Sequence, residues 1–296
     1  MRKLLYFGVL LALVASGFFL FIKGEHSLDG PSRKSAHQAR RSSRCYQAFS
    51  KFYNEETIII SVIFGYKDAR PARFVGDRYE RMMFLSALLA PCSAGETACG
   101  FSRRDDDTEI LEKTLRGLGQ QTHLIRVFVV GSSAGPDDNA NRKDPFQDWM
   151  SLRAKSELVS GISRSRAVLY NGHSRDGGGP DFSPPKLIGT HVDYGWYGDN
   201  TPGLSLLLME LVRNPFPTPL LGLFSCASSY HFSSRIREVN QGVALVTSSK
   251  LLYYVDALEN THAALSALLG MWCEEDFVAA LKGDSPEASS SLQGFF

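Results

Sequence analysis

Residues 166–182 read RAVLYNGHSRDGGGPDF, and the fold depends on which side chain this stretch presents where it turns, Ser174 or His173. Residues 166–172 form an apolar run of strand length closed by a glycine. Gly172-His173-Ser174 then looks like the start of a G-x-S-x-G nucleophile elbow. That motif needs small residues two positions before and two after the serine, because the chain turns sharply from strand into helix. Gly172 meets the first requirement, but Asp176 breaks the second. Gly177-Gly178-Gly179-Pro180 follows, with Pro184-Pro185 soon after, and no helix starts in such a string. The base would have to be His191, His231 or His262, and none of these follows an apolar run. A serine hydrolase using Ser174 is kept as the last of three readings. The stretch is better read as a strand that ends by offering His173 to a partner elsewhere.

Working outward, TIIISVIFG (57–65), HLIRVFVVG (123–131), PLLGLFSC (219–226) and VALVTS (243–248) read as further strands. Between them, residues 76–90, 145–162 and 203–214 have helical spacing, with Trp149, Leu152 and Leu158 expected on the inner side of the second. Asp106 and Glu109 form a capping-box pattern, which predicts a helix over TEILEKTLRGLG (108–119). A short helix is expected over 234–242, and two more over about 251–269 and 274–282. Strands that are continuous apolar runs, separated by helices, imply an α/β fold: a three-layer sandwich with a mostly parallel central sheet, over residues 45–283. In such sheets the site lies beyond the carboxyl ends of the strands. His173, Cys226 and the pair Ser132-Ser133 with Gly135 all belong at that edge.

The chain has 296 residues, 44% apolar and 21% charged, with a net charge of +1. That suits one folded domain with appendages and gives no pull toward nucleic acid. Residues 4–22 are nineteen residues without a charge, long enough at ~1.5 Å per residue for about one hydrocarbon core. Arg2 and Lys3 precede this run, and Phe18 to Ile22 keep it apolar past the small patch Ala15-Ser16-Gly17. An uncleaved membrane anchor is therefore favoured over a signal peptide, with the globular part on the translocated, periplasmic or extracellular side. Residues 23–44 read as a flexible basic stalk and 284–296 as a disordered tail.

Five cysteines are present: Cys45, Cys92, Cys99, Cys226 and Cys273. In an oxidising compartment an odd number leaves one thiol over. Cys92 and Cys99 flank the short SAGETA loop and are candidates for one bridge, with Cys45 and Cys273 for a second. Cys226, which ends an apolar run, would then be free. In a reducing compartment all five would be thiols. A cysteine attacks as thiolate and needs a base or cation beside it. His173 and Cys226, at the ends of successive strands, can meet if those strands are neighbours. Backbone N–H groups at and after Cys226 can then face a developing oxyanion.

A strand ending in His and, 53 residues on, a strand ending in Cys resemble the caspase–gingipain–legumain superfamily of cysteine peptidases. The matching pieces are AVLYNGHS, LLGLFSC and GVALVTSSKLLYYVDALENTHAALSALL, within an element order that spans residues 57–270. The resemblance implies Cys226 as nucleophile, His173 as general base and leaving-group acid, and a peptide or protein substrate, with no cofactor and no metal. It also implies that the backbone of Ser174, with that of Cys226, lines the oxyanion site, although the family's usual residue after the histidine is glycine. Gly177, Gly178, Gly179 and Asp181 would form either a flexible loop or a substrate-contacting lid. Arg70 and Arg73, with Arg78, follow the first strand, where the family places its specificity pocket. The caspase-type Q-A-C-[RQG]-G is absent, because Ala227-Ser228-Ser229 follows Cys226. A catalytically inactive, membrane-tethered binding module of the same fold is thus the alternative.

Residues 137–148 set Asp137, Asn139, Asn141 and Asp148 at calcium-loop spacing, but Arg142 stands where the loop needs glycine. A polar helix-capping loop is the simpler reading. No Walker A loop, G-x-G-x-x-G, H-E-x-x-H or paired C-x-x-C occurs.

Overall fold

The computed structural model describes residues 43–67, 76–214, 219–283 and 290–296. The expected anchor (4–22), nearly all of the stalk, and Arg70 and Arg73 lie outside them. Among the described residues no helix is long and apolar enough to cross a membrane.

After a helix over Ser43–Phe52 (α1) come Thr57–Phe64 (β1), Asp77–Leu89 (α2), Ser102–Arg104 (β2), Asp107–Arg116 (β3) and Thr122–Gly131 (β4). A one-turn helix Asp138–Asn141 (α3) precedes Gln147–Arg164 (α4) and Ala167–Asn171 (β5). A two-stranded ribbon, Leu187–Ile188 (β6) and His191–Val192 (β7), leads to Tyr194–Asn200 (α5) and Pro202–Arg213 (α6). The remainder is Leu220–Phe224 (β8), Ser228–Val239 (α7), Ala244–Ser248 (β9), Tyr254–Gly270 (α8), Glu274–Lys282 (α9) and Ser290–Gln293 (β10).

Eight strands form one sheet in the order β10-β9-β8-β5-β1-β4-β3-β2. The five strands from β9 to β4 run parallel, and β10, β3 and β2 are antiparallel additions at the edges. The protein is therefore an α/β fold with a mostly parallel central sheet flanked by helices. Alternation along β1 shows why its run is apolar apart from Thr57 and Ser61, whose buried hydroxyl donates to Glu157 Oε1 at 2.5 Å. Ile58, Ile60, Val62 and Phe64 enter one core with α1, α2, α8 and α9. Ile63 enters a second core with α4, α6 and α7. A strand covered on both faces has no polar side to show.

Three expectations are corrected. Residues 108–119 are not a helix: β3 pairs antiparallel with β4, from Ile110 opposite Phe128 to Arg116 opposite Thr122. Its Glu109 and Lys113 are half-buried on one face of the strand and Arg116 is exposed on the other, and their spacing imitates a helix face. Asp106 does not cap; it holds Arg104 at 2.5 Å in the β2–β3 turn. On α4 the inner face is Ser151, Ala154, Leu158, Gly161 and Ile162. Trp149 and Leu152 are 54% and 62% exposed, the indole instead carrying the Arg153 guanidinium at 5.3 Å. Of the expected tail, residues 284–289 lie outside the described residues and 290–296 are not loose. Ser290–Gln293 pair with Leu245–Ser248 of β9, and Phe295 and Phe296 stack on Phe49, with Phe295 also on Phe52 and Phe277.

Cys45 of α1 is bonded to Cys273 (Cα–Cα 5.5 Å) and Cys92 to Cys99 (Cα–Cα 5.2 Å), and Cys226 is a free thiol.

Candidate functional site

The site starts from a register. β5 and β8 are adjacent and parallel, with Asn171 opposite Phe224 as their last pair. His173 and Cys226 each stand two residues beyond that pair, so both leave the same edge of the sheet side by side. Both are half-buried. The His173 ring meets the Tyr254 ring edge-on, with centroids 6.5 Å apart. Cys226 Sγ lies 3.6 Å from the Leu252 carbonyl oxygen.

Cys226 sits in a strand-to-helix turn. Ser228 Oγ donates to Leu223 O (2.7 Å) and accepts from Ser248 N (2.8 Å), which pins the start of α7 to β8 and β9. Ala227, between Cys226 and that helix, has φ +46°, a left-handed conformation costing about 1–2 kcal/mol for a residue with a Cβ. Strain of this kind persists where surrounding bonds hold the chain. Here the Ala227 N–H donates to Lys250 O at 2.7 Å and the Ser228 N–H to Ser225 O at 3.3 Å. Those two donors are thus committed. The N–H groups of Cys226 and Ser174 have no protein acceptor among the described residues. Ser174 itself has φ −78°, so glycine is not required after the histidine.

The glycine-rich loop is packed, which corrects its reading as a flexible or substrate-contacting segment. Gly177, Gly178, Gly179 and Asp181 are all buried, and Asp176 is the loop's exposed side chain. Arg175 Nε donates to Asp181 Oδ2 at 2.6 Å and its guanidinium covers the Tyr197 ring at 5.8 Å. The buried Tyr170 hydroxyl donates to His173 O (3.0 Å) and accepts from Asp181 N (2.8 Å); burial, then the Asp181 charge, raises its pKa. The glycines serve close packing: a Cβ on Gly178 would lie 2.7 Å from Tyr197, and one on Gly179 2.5 Å from His173 O. Asp181 is therefore a structural carboxylate. After Ser174 the chain makes one 3₁₀ turn, Arg175–Gly177, so no helix follows that serine as an elbow requires.

Behind this pair lies a buried charge cluster that the sequence reading missed. Lys67, just after β1, is 3% exposed. Its Nζ donates to Glu80 Oε2 and to Asn171 Oδ1, both at 2.5 Å, and stands 5.0 Å over the Tyr254 ring. Asp77 accepts from Ser133 Oγ (2.6 Å) and from the N–H groups of Ser132, Ser133 and Lys67. Ser132 and Ser133 thereby tie the end of β4 to α2. A signal existed: Asp77 and Glu80 lie at helical spacing from Phe84 and Leu88, on the face of α2 that is otherwise apolar.

Burial lowers Lys67 and raises Asp77. Burial also pushes Glu80 from 4.5 up to about 6, against the attraction of Lys67. A carboxylate raised in the native state holds a proton there that the unfolded chain has released. Glu80's contribution is therefore complete below pH 4.5 and is lost as pH rises toward about 6. We expect Glu80→Gln to remove a fall of about 1 kcal/mol per pH unit across that window. Denaturant midpoints at pH 4.5, 5.25 and 6 check this; equal slopes in both proteins contradict it.

Two clefts of about 280 and 610 Å³ open near the end of β4, the larger lined by Lys67, Asp77, Arg78 and Ser133. Neither wall includes His173 or Cys226. Asp137 caps α3 by accepting from Ala140 N at 2.9 Å. Among the described residues no group of His, Cys, Asp or Glu is arranged to hold a metal ion. No family model, no curated protein and no solved structure matches this chain.

Proposed function

We propose that the chain is a cysteine endopeptidase of the caspase–gingipain–legumain type, with the three-layer fold of that superfamily, and that Cys226 and His173 are its dyad. The observation that carries the reading is the register: both side chains stand two residues past the Asn171–Phe224 pair on neighbouring parallel strands. Cys226 thiolate attacks the peptide carbonyl carbon, and the oxyanion faces the N–H groups of Ser174 and Cys226. His173 protonates the departing amine as the C–N bond breaks. It then takes a proton from the water that hydrolyses the thioester and returns Cys226 to the thiol–imidazole pair. We further propose that residues 4–22 anchor the chain and that the domain lies on the translocated side. The two disulfides support an oxidising compartment.

The test is cleavage of a peptide library by the wild-type chain and by Cys226→Ala, His173→Ala and Ser174→Ala. Turnover should fall by at least ~10³-fold in the first two variants with unchanged melting. Ser174→Ala should retain most of it. Loss confined to Ser174→Ala points to a serine hydrolase, and no turnover in any of the proteins sinks the peptidase reading. One observation favours the second reading, an inactive binding module: the Cys226 thiol lies on the Leu252 carbonyl at 3.6 Å. A binding module would keep its ligand affinity in Cys226→Ala.

A further inference from the structure

The dyad reading leaves the buried ammonium of Lys67 without a task, although its surroundings are built for a cation. Glu80 and Asn171 offer acceptors and Tyr254 a ring face, which together suit three N–H donors and leave no place for an amine lone pair. Two of these contacts lead to the dyad. Asn171 is the last residue of β5, two before His173, and its Nδ2 donates to Thr261 Oγ1 on α8 at 3.2 Å. Tyr254 opens α8, and its ring meets Lys67 at 5.0 Å and His173 at 6.5 Å.

We propose that Lys67 is a positioning residue for the Cys226–His173 pair: it holds Asn171 at the end of the histidine strand and the Tyr254 ring that meets the imidazole. The inference rests on the thiol reading of the site. Other titratable groups on the elements around Cys226 include Arg175 and Asp176 after β5, Tyr230, His231, Arg235, Arg237 and Glu238 on α7, Lys250 after β9, and Asp256, Glu259 and His262 on α8. None of these is altered in the variants below.

The experiment is the rate of iodoacetamide modification against pH in the full chain without reductant. Of the five cysteines, Cys226 alone is outside a disulfide, so the rate reports on it. Lys67→Met with Glu80→Gln removes both charges together and leaves no unpaired buried ion. Its profile should shift to higher pH by about half to one unit, a three- to tenfold slower reaction below the midpoint. If the double variant does not fold, Tyr254→Leu, which removes the ring between Lys67 and His173, should give the same shift. Profiles that superimpose on wild type overturn the inference, whatever His173→Ala does. A shift in His173→Ala alone keeps the dyad and removes Lys67 from it. A shift in the double variant with none in His173→Ala overturns the inference, because Lys67 acts through the imidazole.

Discussion

Gly203→Ala should destabilise the protein by about 3 kcal/mol, at the upper end for an overpacked site. It should also slow any reaction at Cys226. Gly203 is the second residue of α6, and its N–H donates to Gly178 O at 2.8 Å. A Cβ there would lie 2.0 Å from Pro180 O and 2.6 Å from Gly179 C and Pro180 N. All three are backbone atoms, so no side-chain rotation relieves the clash. The loop must move as a body, and it is tied to the dyad. Gly179 N donates to Ser174 O at 2.8 Å, and Tyr170 joins His173 O to Asp181. The control is Gly198→Ala on α5, where a Cβ meets nothing within 4 Å and alanine should be neutral or stabilising by up to about 1 kcal/mol. A thermal melt checks both. At ~2–4 °C per kcal/mol for a domain of this size, Gly203→Ala should melt about 6–12 °C lower. Matching melts for the two variants would mean that the loop yields where the packing says it cannot.

The second large effect concerns the long disulfide. Cys45 and Cys273 are 228 residues apart, and Cys92 and Cys99 only 7. In the chain-entropy account the first bridge restricts the unfolded chain by about 5 kcal/mol and the second by about half that. Removing Cys45–Cys273 as a double alanine variant should therefore cost roughly twice as much as removing Cys92–Cys99. Urea unfolding of the two variants against wild type measures the ratio. Equal losses would show that local geometry, not the unfolded chain, sets the contribution of each bridge. The long bridge also seats α1, whose Phe49 and Phe52 share a core with Phe277 and Phe295, so its loss should loosen that aromatic group first.

Much of the sheet was legible because parallel strands covered on both faces are apolar throughout. TIIISVIF, ALVTS and their neighbours stand out from any helix around them. β3 was not legible: it is half-covered near an edge, and its charges at positions 109, 113 and 116 imitate an exposed helix. β10, with sequence SSLQ, has no pattern of its own and is a strand because β9 offers it hydrogen bonds. At the site, the shared sheet edge of His173 and Cys226 could be read from polar residues closing apolar runs. The Lys67–Glu80 pair could not, since it arises only when the chain after β1 folds back on α2. The glycines of residues 177–179 misled for a related reason. Sequence shows their freedom, whereas the fold uses their lack of a side chain.

The last strand has a consequence for how the domain comes to be made. Ser290–Gln293 cover the outer edge of β9, and β9 continues the parallel sheet that carries Cys226. While the chain is being synthesised, the backbone groups on that edge have no partner until residue 293 has been added. An unpaired edge beside a largely finished sheet is a template for pairing with another chain. The nascent domain is therefore most exposed to misassembly just before synthesis reaches its final strand. A truncation that removes only residues 290–296 strips Leu292, Phe295 and Phe296 from the core around Phe49 and leaves the edge of β9 unpaired for good.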